Sequence, residues 1–114
     1  MTTSVRVDAG ICGFQTRIRA DSEDDQNVTF HIASGCEKVQ AFGAALAAKG
    51  PVDGFAEIGA GAEGVVLTTA RAYLKGGCAA CAVPIGAFKA LQVAAGVALP
   101  KPVTLDIAAG EKKD

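Results

Sequence analysis

A chain of 114 residues allows one compact domain, and with 23 Ala and 14 Gly making up about a third of it, the core must be built largely from small side chains. Hydrophobic residues at 50% and charged residues at 20% exclude a disordered tail or a collagen-like repeat, and a net charge of -1 leaves no whole-chain footprint for nucleic acid. No apolar run approaches the ~20 residues of a membrane helix, and Met1 to Val7 carries no apolar leader, so a soluble, cytoplasmic protein without membrane or nucleic-acid partners is expected.

Val5 and Val7 alternate with Arg6 and Asp8, and Phe14, Thr16, Ile18 and Ala20 alternate with Gln15, Arg17 and Arg19, which predicts strands with one wet face. Asp21 to Asn27 reads as a solvated acidic turn leading into a third strand, Val28, Phe30 and Ile32 alternating with Thr29 and His31. Ser34 and Glu37 have capping-box spacing and predict a helix start there, with Val39, Phe42, Gly43 and Leu46 on its inner face and Gly50-Pro51 as its stop. Residues 51–63 read as irregular. A second helix is expected from Glu63 to Lys75, with Val66, Leu67, Ala70, Tyr73 and Leu74 inward. A third opens at Pro84, with Ile85, Phe88, Leu91 and Ala95 inward. Val103, Leu105 and Ile107 alternate as a closing strand before the charged tail Glu111 to Asp114. The expected architecture is a single α+β domain over residues 1–114, with three or four antiparallel strands covered on one face by three helices and the cysteine loops gathered at one end of the layer.

Charge is divided unevenly. Residues 1–63 hold nine acids and five bases, whereas Gly64 to Leu105 holds no acid and carries Arg71, Lys75, Lys89 and Lys101. That basic stretch surrounds Cys78 and Cys81. Together with Cys12 and Cys36 they make the pattern C-x23-C-x41-C-x2-C. Cys36 falls in the first turn of the first predicted helix, and Cys78 and Cys81 lie in the loop before the third, near helix ends that favour negative sulfur. A chelating pair from one loop with two distant ligands suits an iron–sulfur cluster, with zinc as the alternative. A reversible Cys78–Cys81 dithiol or sulfur carrier competes with it, and buried free thiols are the unreactive alternative.

Gly77-Cys78-Ala79-Ala80-Cys81-Ala82-Val83-Pro84, followed by a helix with Lys89 and then Pro100, Val103 and Ile107, resembles the C-terminal domain of NifU-type iron–sulfur scaffold proteins over about 30 residues of the 114. In that family proline follows the second cysteine directly, and Cys12 and Cys36 have no counterpart. Over its full length the chain resembles a poorly characterised family of small proteins from anaerobic prokaryotes. The shared features are Cys12-Gly13-Phe14, Ser34-Gly35-Cys36, Cys81-Ala82-Val83-Pro84 and Ala98-Leu99-Pro100. The resemblances imply a cysteine site, and the scaffold domains imply a possible homodimer.

The resulting expectation is a metal site formed by Cys12, Cys36, Cys78 and Cys81, holding a cluster of the 4Fe-4S type. The protein would act as an electron carrier or cluster-handling accessory with a redox or cluster-transfer protein as partner. His31 is expected on the wet face and would become a ligand only in place of a cysteine. The G-x-G-x-x-G run Gly59 to Gly64 lacks the acid ~20 residues on that a dinucleotide site needs. No Ser/His/Asp or paired-carboxylate arrangement points to hydrolytic catalysis.

Overall fold

The computed structural model describes residues 1–110, so the tail from Glu111 lies outside the described residues. Period-two alternation becomes three antiparallel strands, β1 (Thr2–Asp8), β2 (Gln15–Asp21) and β3 (Asn27–Ser34). Val7, Thr16, Ile18, Ala20, Val28 and Phe30 turn inward and are buried, while Arg6, Arg17, Arg19 and His31 stand exposed on the opposite face. Val5 pairs with Ile18 and Ile18 with Ile32, so apolar side chains line up across the strands on the face that the helices cover.

Asp24 organises the acidic turn. Its carboxylate accepts from the backbone N–H groups of Gln26 (3.0 Å) and Asn27 (2.8 Å) and from the Asn27 side-chain amide (2.8 Å). These bonds, that from the Asn27 backbone first, lower its pKa from the ordinary 3.8 to about 2. A carboxyl with a depressed folded value stabilises the fold above its unfolded value and loses that contribution as pH falls through the folded one. Acid titration followed by NMR is therefore expected to loosen this turn as pH drops from 3.8 toward about 2. Asp24→Ala should remove that part of the pH dependence, and an unchanged acid profile would mean that this carboxylate does not hold the turn.

Helix α1 (Glu37–Ala48) buries Val39, Phe42, Gly43 and Leu46 and packs on β3, as the spacing predicts. Its start differs from the expected capping box. Ser34 is the last residue of β3, paired with Thr16, and its hydroxyl accepts from the Thr16 hydroxyl (2.8 Å) and the Cys36 N–H (3.1 Å). The sheet holds Ser34 away from the helix end, so the N-cap is Cys36, with no side-chain cap bond. Gln40, and not Glu37, reaches back, its amide donating to the Ser34 carbonyl (2.8 Å).

Residues 51–63 are ordered, contrary to expectation. They form β4 (Val52–Asp53), α2 (Gly54–Ala60) and a 3-10 turn at Gly61–Glu63. Val52 pairs with Val28 and Asp53 with Asn27, which completes a four-stranded sheet in the order β1-β2-β3-β4. The Asp53 carboxylate accepts from the N–H groups of Phe55 (2.9 Å) and Ala56 (3.1 Å), and this cap starts a helix in a glycine-rich stretch.

Helix α3 (Val65–Leu74) begins two residues later than expected and buries Val66, Thr69, Ala70 and Leu74, leaving Tyr73 exposed. Helix α4 (Val83–Ala94) has Pro84 in its first turn and covers β1 and β2. Ile85, expected inward, is exposed. Gly86 takes the sheet-facing position instead: a Cβ there would lie 2.8 Å from Val7 Cγ2, so the helix rests directly on the strand. α3 packs on both α1 and α4. The described residues thus form the expected α+β class with an antiparallel sheet, with four helices in place of three. The closing strand does not form. Val103, Leu105 and Ile107 lie in an arm without regular structure, because no strand stands beside them. Among the described residues no helix is long and apolar enough to cross a membrane.

Candidate functional site

The topology carries all four cysteines to one end of the sheet. Cys12 is at the tip of the β1–β2 hairpin, where Gly13 N–H donates to the Gly10 carbonyl (2.9 Å) and Ala9 N–H to that of Phe14 (3.3 Å). Gly10 (φ 89) and Gly13 (φ 77) supply the left-handed backbone that this tight tip requires. Antiparallel pairing then brings the end of β3 alongside, and the Phe14 ring lies over Gly35, 3.2 Å from where a Cβ would be. Cys36 follows at once as the N-cap of α1. Cys78 closes a 3-10 turn at Gly76–Cys78 after α3, and the Cys81 N–H donates to its carbonyl (3.0 Å), so the two cysteines share one turn ahead of α4.

All four cysteines are free. Cys36, Cys78 and Cys81 are half-buried against the core, and Cys12 is exposed beside the fully exposed Ile11. Lys38, in the first turn of α1, places its ammonium Nζ 3.6 Å from Cys78 Sγ and ties the Cys36 segment to the Cys78 loop. The sequence pattern does not single out Lys38, because the bases it sets around the cysteines are those of the acid-free stretch after Glu63. Its position two residues beyond Cys36, in a helical first turn, was the available signal.

Four reduced sulfurs from three chain segments form a donor set chemically suited to a soft metal. Their arrangement is open: among the described residues, no three His, Cys, Asp or Glu side chains stand close enough together to hold an ion. His31 is on the other face of the sheet, opposite Arg19.

The Gly59 to Gly64 run offers no phosphate site. The N-terminus of α3 is occupied by the protein's own carboxylate, Glu57, whose oxygens accept from Val65 N–H (2.8 Å) and Val66 N–H (2.7 Å). A second feature unread in the sequence is a basic patch on the open sheet face. Arg6 stands opposite Arg17 and Arg19 opposite His31, lining a shallow depression of about 510 Å³. Arg19 is paired with Asp21 (3.1 Å), whereas among the described residues Arg6 and Arg17 have no ion-pair partner. The alternation of Arg17 and Arg19 with buried residues was the signal for this shared face.

The chain belongs to a family of unknown function, DUF6951, which matches residues 3–107. This span includes all four cysteines and ends on Ile107. No curated protein and no solved structure matches the chain.

Proposed function

We propose that this family member binds a thiophilic metal centre through Cys12, Cys36, Cys78 and Cys81, an iron–sulfur cluster first and zinc as the alternative. It would work as an electron carrier or cluster-handling accessory in the cytoplasm with a redox or cluster-transfer protein as partner. The observation that carries this reading is the convergence of four free cysteines, from segments far apart in sequence, on one end of the sheet. Lys38 beside Cys78 and the acid-free stretch after Glu63 oppose the negative charge that metal-bound thiolates carry. The local resemblance of Gly77 to Ile107 to NifU-type scaffold domains points the same way. Closing the open arrangement calls on Cys12, whose exposed hairpin tip is the donor least constrained by packing.

The test is anaerobic purification, or reconstitution with iron and sulfide, followed by metal analysis and visible spectroscopy. A brown protein containing iron and acid-labile sulfide supports the cluster. Colourless protein with one zinc per chain selects zinc.

A second reading rests on the shared turn of Cys78 and Cys81 and the ammonium beside Cys78. There the two thiols give two electrons and two protons to a disulfide partner, leaving a Cys78–Cys81 disulfide and a reduced partner dithiol. Protein that stays metal-free, and in which only this pair is oxidised by glutathione disulfide, selects the second reading. Joint protection of all four thiols from alkylation by metal excludes it.

A further inference from the structure

The segment after α4 presents large apolar side chains to water on a chain whose core is otherwise well covered. Leu99 is 89% exposed, and Val103, Leu105 and Ile107 are 58%, 75% and 89% exposed. In an extended segment the last three share one face, with Thr104 and Asp106 on the other. Pro100 and Pro102 hold the approach extended and cannot continue a helix. The arm takes part in no strand pairing of its own chain, which with the arm included measures 49 Å along its longest axis against 28 and 23 Å along the others. It is nonetheless part of the unit the family shares, because the match runs to Ile107.

The sheet has a place for such a segment. Among the described residues β1 pairs only with β2, so its outer edge carries backbone N–H and C=O groups without a strand partner there. On the helix side of that strand, Val5 is half-buried and touches the Gly86 turn of α4, while Ile85 beside it is exposed. An added strand with apolar residues at every second position would pair its backbone with β1 and extend the apolar face past Val5 and Val7.

We propose that Val103–Ile107 of one chain adds as a fifth strand to the free edge of β1 in a second copy, making a symmetric dimer held by two exchanged C-terminal arms. A second copy is the occupant the observations favour. The arm and the edge occur on the same chain, so one twofold axis satisfies both at once, and within a single chain the arm is not paired with β1. The dimer does not depend on the chemistry of the cysteines.

Sedimentation equilibrium on the full chain tests this. The expected mass is twice the chain mass of 11.4 kDa. The double variant Leu105→Asp, Ile107→Asp should halve that mass while leaving the helical far-UV circular dichroism signal in place, since both side chains are exposed within a single chain. Hydrogen exchange should find the outward-facing β1 amides protected in the wild type and open in the variant. A wild-type monomer overturns the proposal, including one with protected β1 amides, which would have its own arm folded back. A dimer unaffected by the two aspartates overturns it equally.

Discussion

Cys36→Ser is expected to raise the melting temperature of the metal-free protein and to lower that of the metal-loaded protein. The first effect follows from helix capping. Cys36 has the extended backbone of an N-cap (φ -87, ψ 123) and its carbonyl accepts the first intrahelical bond from Gln40 (2.9 Å), yet its side chain makes no cap bond. A serine hydroxyl at this position accepts from a free N–H of the first turn and is worth about 1 kcal/mol, a few degrees in a domain of this size. The second effect follows from ligation. In a small domain, metal binding energy is largely folding energy, so a lost thiolate removes most of the metal-dependent rise. Cys36→Ala, which supplies neither a cap nor a ligand, should show the second effect without the first. Equal metal content in Cys36→Ser and wild type would remove Cys36 from the ligand set and reduce the site to the Cys78–Cys81 turn.

The opposite signs matter because they separate two roles that the sequence merged. Ser34 and Glu37 have the spacing of a capping box, which would have left Cys36 free to be only a ligand. Strand pairing of Ser34 with Thr16 prevails over that local preference, and the cap passes to the cysteine. Where one pattern governs a whole segment, the reading is secure: alternation in β1 to β3 assigns both faces of the sheet, and the i, i+3, i+4, i+7 set of α1 lies inside. β4 has only two residues, too few for any period, and exists because Val28 and Asn27 offer it a partner. The arm shows the converse. Val103, Leu105 and Ile107 have a strand's alternation, but a strand requires a neighbour, which a single chain does not supply here.

The candidate site divides along the same line. That the cysteines come to one end was legible, because hairpin tips, strand ends and helix starts alternate between the two ends of a layer in a predictable way. Which side chains meet there was not. Lys38 and Cys78 are 40 residues apart, and their contact depends on how α1 and α3 pack. α3 delivers the turn that carries Cys78, so whatever fixes the start and angle of α3 also fixes one side of the site.

Glu57 fixes it, and Glu57→Ala is expected to cost the protein about 2–4 kcal/mol, a large part of the ~5–15 kcal/mol typical of a domain. The carboxylate is 3% exposed and accepts two bonds from the first turn of α3, whose own N-cap, Gly64, has no side chain to offer. Its negative charge also lies at the positive end of the helix. Removing it leaves two N–H groups without partners, one of them in a fully buried residue, and a void where the carboxylate stood. Glu57→Gln retains an oxygen for one of the two bonds but presents an NH2 to the other, so it should fall between wild type and alanine. Gly64 is the complementary half of the device: a Cβ there would lie 2.6 Å from Glu57 Oε2. Gly64→Ala should therefore displace the carboxylate and cost a similar amount, whereas in the Glu57→Ala background the added methyl enters space already vacated. Chemical denaturation of the two single variants and the double variant closes the cycle. The double variant should be clearly more stable than the sum of the single losses allows; additive losses would mean that Glu57 and Gly64 act separately and that the start of α3 is held by something other than this carboxylate.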